Sequence, residues 1–247
     1  MKSFLALGFI AIVSLPLAAR ASLITGVLNF GGSATISFGS IAFNNSNIFN
    51  INSPADTQEG GFMALEGSTG VIADITNPPD ATGVPLDIPG FITFGAAPNI
   101  SITLTFLLPG IDGAAGCADT PPAANQECTP NTPVESPFDL ENTSATSSKA
   151  GFNILGIEVD SLTGDTIPIT GAFTTPFTST NFQQLLAIVD GAPPPVGGSI
   201  TTSFSGQIAT VGAPEPTAFI DLLTGIIALG ICFGYRKKSA STDSTGL

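Results

Sequence analysis

The sequence predicts an all-β protein: an antiparallel β-sandwich or jelly-roll-like ectodomain with one short helix. Residues 100–106 alternate strictly between apolar and hydroxyl side chains, which is the pattern of a half-buried antiparallel strand. Further short apolar segments are bounded by Gly, Pro, Asn and Asp, and only 10% of the chain is charged. Many short strands between turn residues are typical of sandwiches and jelly rolls.

The other elements follow from local pattern. Further strands are predicted over residues 23–30, 34–43, 62–65, 71–75, 91–94, 152–159, 173–177 and 200–208. Apolar residues at helical spacing predict one helix over residues 182–190, with Ser179 or Thr180 as its cap and Gly191 at its end. Loops are expected over residues 78–89, 110–137 and 191–198.

The N-terminal 21 residues have the pattern of a secretory signal peptide. Lys2 precedes an apolar segment over residues 4–17, and Ala19 and Ala21 form an A-x-A cleavage site. This pattern predicts export through the Sec translocon and a mature chain that begins at Ser22.

The C-terminal region combines three features in a fixed order. A Pro-Glu-Pro tripeptide is followed by an apolar segment over residues 217–235, then by a basic cluster and a polar tail over residues 239–247. The apolar segment, as a helix of roughly 28 Å, matches the hydrocarbon core of a membrane. The positive-inside rule places the basic end in the cytoplasm. The tripeptide and the cluster comprise Pro214, Glu215 and Pro216, and Arg236, Lys237 and Lys238.

This arrangement resembles the PEP-CTERM sorting signal of exported bacterial proteins. The resemblance covers about the last 35 residues, in which the sorting signal spans residues 214–238, and the low-charge character of the exported part. It implies that an exosortase, a membrane-embedded transpeptidase, recognises Pro214, Glu215 and Pro216 and removes the transmembrane helix. The three residues would be acted upon and would have no catalytic role.

The predicted ectodomain, residues 22–213, is strongly acidic. It contains 16 acidic residues and one basic residue, Lys149, so its net charge is 1 − 16 = −15. Such a surface repels phosphate backbones, which argues against a nucleic-acid partner.

Cysteine and histidine usage limits the chemistry further. Cys117 and Cys128 are close in sequence, and outside the cytoplasm such a pair predicts a disulfide. The chain has no His, so His-dependent triads and His metal sites are excluded. Lys149 lies in a Ser/Thr-rich segment that is expected to be a loop and has no spacing that supports a Ser–Lys dyad. We therefore assign no catalytic residue.

Two weaker patterns involve carboxylates. Glu158 and Asp160 are two apart on a predicted strand and share one face, as a carboxylate-pair glycoside hydrolase would require. Asp160 and Asp165 bound a segment that predicts either a structural calcium ligand loop or, as we prefer, a β-turn at Gly164. No other cofactor is expected.

Together these patterns favour an exported, non-enzymatic structural or matrix protein, associated with exopolysaccharide or biofilm as the family resemblance implies. It would be held in the cytoplasmic membrane by one helix and, after processing, would reach the cell surface or the medium. The alternative is a calcium- or glycan-binding extracellular module, and the third hypothesis is a glycoside hydrolase that uses two carboxylates.

Overall fold

A computed structural model of the protein describes residues 25–37, 40–44, 46–52, 60–77, 79–130, 136–190 and 198–211. These residues form twelve strands and one α-helix, α1, over Phe182–Asp190. The strands are β1 Val27–Ser37, β2 Ser40–Phe43, β3 Ile48–Ile51, β4 Thr69–Ile72, β5 Ile75–Thr76, β6 Pro85–Phe94, β7 Ile100–Leu107, β8 Glu127–Cys128, β9 Asp139–Ser144, β10 Ser147–Asp160, β11 Thr166–Phe177 and β12 Ser199–Thr210.

Eight of these strands close into an antiparallel barrel. Around the ring the order is β1, β3, β4, β6, β7, β10, β11 and β12, and β12 pairs with β1 along its whole length. β2 and β5 extend the wall beside β1, while β8 and β9 extend it beside β10. We call the end at which Ser37 faces Ser199 the upper end, and the end at which Val27 faces Ala209 the lower end.

The all-β class, the antiparallel pairing and the single short α-helix of the described residues confirm the prediction. The sandwich does not form, because one sheet closes on itself instead of two sheets packing face to face. Strand alternation is the same in the two architectures. The pairing of β1 with β12, which joins residues far apart in the sequence, distinguishes them.

The barrel interior is filled by side chains. In β11 every second residue from Ile167 to Phe177 is buried, and the residues between are exposed. Phenylalanines dominate the centre: the rings of Phe152 and Phe173 stack at 4.6 Å, and Phe30 meets Phe173 edge to face at 5.6 Å. An eight-stranded barrel is just wide enough for side chains to fill it, which agrees with this core.

The first strand is longer than predicted. Two strands were expected over residues 23–30 and 34–43, but β1 continues through Gly31 and Gly32 to Ser37. A Cβ atom at Gly32 would lie 2.8 Å from the ring of Phe204, and one at Gly31 would lie 3.1 Å from the Phe204 carbonyl oxygen. The absence of side chains at these two glycines therefore lets β12 pack closely against β1, and the glycines do not form a turn.

The strand predicted over residues 62–65 is wrong. Residues Gly60–Leu65 form a 3-10 helix, which buries Phe62 and Leu65 at a spacing of three. Gly60 begins it with a φ of +64°, and the Gly61 N–H donates to the Thr25 carbonyl at 2.7 Å. A four-residue apolar segment has too little pattern to separate these two conformations.

The loop predicted over residues 78–89 is wrong in its second half, because β6 begins at Pro85. The upper part of β6 pairs with β7 alone, since the pairing of β6 with β4 runs only from Ile92 to Phe94. Proline has no backbone N–H, so it is tolerated where one edge of a strand has no neighbour to which an N–H would donate. The one-sided pairing of this part of β6 therefore explains Pro85 and Pro89.

Lys149 was predicted to lie in a loop, and this prediction is wrong. It stands on β10 opposite Glu141 of β9, and its Nζ lies 2.7 Å from the Glu141 carboxylate. The hairpin of β9 and β10 escaped prediction because β9 has a single apolar residue, Leu140, and the first residues of β10, 147–151, contain only one, Ala150, besides a glycine.

The predictions for the two ends of the chain lie outside the described residues. These are the signal peptide with Ala19 and Ala21, the tripeptide from Pro214 to Pro216, the helix over residues 217–235, the cluster from Arg236 to Lys238, and the tail over residues 239–247. Among the described residues, no helix has both the length and the apolar character needed to cross a membrane.

Candidate functional site

The upper end of the barrel is covered by α1, which forms over the predicted residues but is capped by a residue that was not predicted. The Oδ1 of Asn181 accepts from the Gln184 N–H at 2.9 Å, and the Oε1 of Gln184 accepts from the Asn181 N–H at 3.2 Å. This reciprocal pair is a capping box. The cap is therefore neither Ser179 nor Thr180, and it sets where Phe182 and Leu185 enter the upper core.

The segment between β7 and β9 also covers this end, and the predicted disulfide joins Cys117 to Cys128 within it. Its attachment to α1 is polar. Asn142, which is fully buried, accepts from the Phe182 N–H at 2.8 Å and donates to Gln183 at 2.9 Å and to Gln126 at 3.1 Å. Since buried amides need partners, this network fixes the disulfide-linked segment against the start of the helix.

A cavity of about 90 Å³ lies between these covering segments and the top of the barrel. Its walls are mostly aliphatic and aromatic. They come from the upper ends of β1, β2, β5 and β7, from the segment before β9, from β10 and β11, and from α1. Representative residues are Ile36, Ile41, Ile75, Leu107, Phe138 and Leu186.

The cavity ends on the barrel core. A smaller void of about 10 Å³ shares Ile36, Ile41, Phe138 and Ala150 with it, and the rest of its lining includes Phe152 and Phe173 of the core. Because that void holds about one water molecule at most, the phenylalanine cluster forms a floor. A molecule in the cavity would stay near the upper rim.

Thr82 is the notable polar residue of the cavity wall. Its side chain is 7% exposed, and its Oγ1 is buried without a hydrogen-bond partner among the described residues. Its neighbours are satisfied: the Gly83 N–H donates to the Leu107 carbonyl at 3.0 Å, and Asp80 accepts from the Thr76 N–H at 2.9 Å. A buried hydroxyl without a partner is costly and unusual in a native protein.

Acidic side chains gather outside this cavity, along the disulfide-linked segment. The Oδ1 of Asp139 accepts from the Ile111 N–H at 2.7 Å and from the Thr129 hydroxyl at 2.6 Å. The pKa of Asp112 is raised, first by partial loss of solvent around its carboxyl group and then by repulsion from Asp139 and Glu127. Lys149, the one basic residue of the described chain, is already paired with Glu141.

The two calcium candidates bound the hairpin between β10 and β11, as the preferred turn interpretation predicted. The Asp160 N–H donates to the Asp165 carbonyl at 3.0 Å, and Gly164 has the left-handed φ of +74° that the turn needs. The Oδ1 of Asp160 accepts from Asn99 at 3.0 Å and from the Leu162 N–H at 2.8 Å. The described residues contain no group of three or more Cys, Asp or Glu side chains placed to hold a metal ion.

The carboxylates of Glu158 and Asp160 do share one face of β10, as predicted, but it is the interior face at the lower end. Glu158 is 0% exposed and Asp160 is 2% exposed. A glycosidase needs its two carboxyl groups on either side of a bound sugar. Neither of these side chains is open to a substrate from the solvent.

The cavity could not have been found from sequence. Thr82 lies in a segment that was predicted only as a loop, and its importance depends on burial. The other lining residues look like ordinary core positions, and they are contributed by at least seven separate elements. Comparison of the chain with protein-family models, curated proteins and solved structures found no match.

Proposed function

We propose that this barrel is the exported part of a non-enzymatic cell-surface or extracellular protein, released or retained through the C-terminal signal at Pro214, Glu215 and Pro216. The observation that supports export most directly is the bonded pair of Cys117 and Cys128. Structural disulfides persist in oxidising compartments and are rare in the cytosol.

Display on the outside would be the function of the fold itself. The disulfide, the amide network around Asn142 and the filled barrel interior favour one stable conformation. A net charge of −15 keeps residues 22–213 soluble and unattractive to nucleic acid. Association with exopolysaccharide is part of the proposal and rests on the family resemblance.

Intact mass measurement of the protein recovered from its host tests this proposal. We expect a chain that begins at Ser22 and ends near Pro216, with no thiol available to an alkylating agent after unfolding without reductant. Replacing Pro214 and Pro216 by alanine should retain the C-terminal residues. The matched control replaces Pro193 and Pro195, which lie in another proline-rich segment, and should process normally.

Two results would contradict the proposal. A mature protein that still contains Leu247 would be a permanently anchored chain and not a sorted one. Alkylation of Cys117 and Cys128 without reduction would show that the pair is not oxidised in the cell, and the argument for export from the disulfide would fail.

A further inference from the structure

We propose that the cavity at the upper end of the barrel is a binding site for a small neutral molecule with a compact aliphatic body and one hydroxyl group, which hydrogen-bonds to Thr82. The proposal is independent of the sorting signal, because every residue that supports it lies on the barrel or on the segments that cover it.

The aliphatic body follows from the walls of the cavity. Most of the wall consists of aliphatic and aromatic side chains. They come from the barrel and from α1: Ile36, Ile41, Ile75, Leu107, Phe138, Leu185, Leu186 and Val189. Pockets of this kind bind through apolar contact, while a small number of placed polar groups fix the orientation of the ligand. Thr82 is such a group, since its buried hydroxyl has no partner within the described chain.

The neutral character follows from the charges around the cavity. No described Lys or Arg lines it, and the one basic residue within the described ranges, Lys149, is paired with Glu141 at 2.7 Å. Among the lining residues that the structure describes, the only charged one is an acid, Asp80. A carboxylate or phosphate would therefore lose its water without gaining a counter-ion, which is strongly unfavourable.

The size follows from the volume. A cavity of about 150 Å³ accommodates benzene, so 90 Å³ holds about four heavy atoms, and a slightly larger ring must protrude through the mouth. The phenylalanine floor prevents deeper entry. Cyclopentanol, which has a ring of five carbons and one hydroxyl group, is a suitable probe.

The test is an NMR titration of the full-length chain labelled at isoleucine methyl groups. Cyclopentanol should shift the methyl signals of Ile41 and Ile75, which line the cavity, and leave those of Ile100 and Ile102 at the lower part of the barrel unchanged. Methylcyclopentane, which lacks the hydroxyl, should bind through its apolar body alone, and cyclopentanecarboxylate should produce no saturable shift at these positions.

Substitutions at Thr82 separate hydrogen bonding from shape. Thr82→Val keeps the branched shape and removes the hydroxyl, so cyclopentanol should lose about tenfold in affinity while methylcyclopentane is unaffected. Thr82→Ser, which keeps the hydroxyl, should keep the ratio of the two affinities close to that of the unmodified protein. An unchanged ratio of the two affinities in Thr82→Val would overturn the proposed role of Thr82.

Substitutions on α1 test the location. Val189→Phe places a ring in the cavity and should abolish the shifts caused by both neutral probes. Ile188→Phe adds the same ring to the exposed face of the helix, where Ile188 is 42% exposed, and should bind like the unmodified protein. If Val189→Phe fails to fold, the Thr82→Val and Thr82→Ser variants still test whether the ligand binds in this cavity. Binding that survives a folded Val189→Phe, or tight binding of the carboxylate, would refute the site.

Discussion

At the scale of single residues, Asp160 shows how a buried carboxylate is accommodated. It is 2% exposed at the lower end of the barrel, and it accepts hydrogen bonds from Asn99 and from the Leu162 N–H. The bond from Asn99, followed by the backbone bond from Leu162, lowers the pKa of Asp160 below its ordinary value of 3.8. The ionised form therefore stabilises the hairpin between β10 and β11.

This environment predicts a specific dependence on pH. A carboxyl group whose pKa is lowered by folding stabilises the protein above its unfolded pKa, and that contribution is lost as the pH falls through the lower, folded value. We expect Asp160→Asn to unfold at a lower urea concentration than the unmodified protein at pH 7. The difference should narrow as the pH falls below about 4.

The matched control is Asp165→Asn, in the same hairpin, which should follow the unmodified protein at each pH. A difference between Asp160→Asn and the unmodified protein that stays constant from pH 7 to pH 3 would show that the charge of Asp160 is not responsible.

At the scale of elements, α1 depends on its first residues. The capping box of Asn181 and Gln184 satisfies N–H groups that a nine-residue helix cannot bond internally. The Nδ2 of Asn181 also donates to the Ala145 carbonyl at 3.0 Å, which ties the helix to the turn between β9 and β10. One side chain thus determines both where the helix begins and where it rests on the barrel.

Removing this cap should weaken the helix measurably. We expect Asn181→Ala to lower the free energy of unfolding by about 1 to 2 kcal/mol, because an N-cap and a buried side-chain bond are both lost. Urea unfolding followed by circular dichroism gives the value. Thr180→Ala removes the cap that the sequence pattern suggested and should change stability by less than about 0.5 kcal/mol. The reverse order of effects would mean that the helix begins elsewhere.

At the scale of the whole molecule, closure of the barrel requires small residues on the interior face. Gly171 stands on β11 between Ile169 and Phe173, and a Cβ atom there would lie 2.7 Å from the Cγ1 of Ile154 on β10. The ring of strands can therefore close at its present diameter only because some interior positions have no side chain.

Adding one methyl group at this position should overpack the interior. We expect Gly171→Ala to lower the free energy of unfolding by about 1 to 3 kcal/mol, measured by urea unfolding. Gly151→Ala is the control, since Gly151 lies on the neighbouring strand and a Cβ there would meet the nearest atom at the ordinary distance of 3.4 Å. Equal stabilities of the two variants would show that the interior can relax around Gly171.

Local patterns were sufficient for the strand-rich class, for α1 over residues 182–190, for the pairing of Cys117 with Cys128 and for the turn at Gly164. Each of these depends on neighbours within about a dozen residues. They were not sufficient for the barrel, for the continuation of β1 through Gly31 and Gly32, or for the hairpin at Lys149. The barrel and the course of β1 depend on β12, which is far away in the sequence. The hairpin at Lys149 depends on β9, whose six residues include one apolar residue and therefore give little strand signal.

The cavity belongs wholly to this second group. Thr82 is a candidate ligand-binding residue only because distant parts of the chain, from Ile36 to Val189, line the same cavity and leave its hydroxyl buried without a described partner. Sequence patterns record the side chain but not its burial, since burial is created by segments that meet only after the barrel has closed. Chain ends, strand period and cysteine spacing are properties of short segments, whereas a binding cavity is a property of the assembled fold.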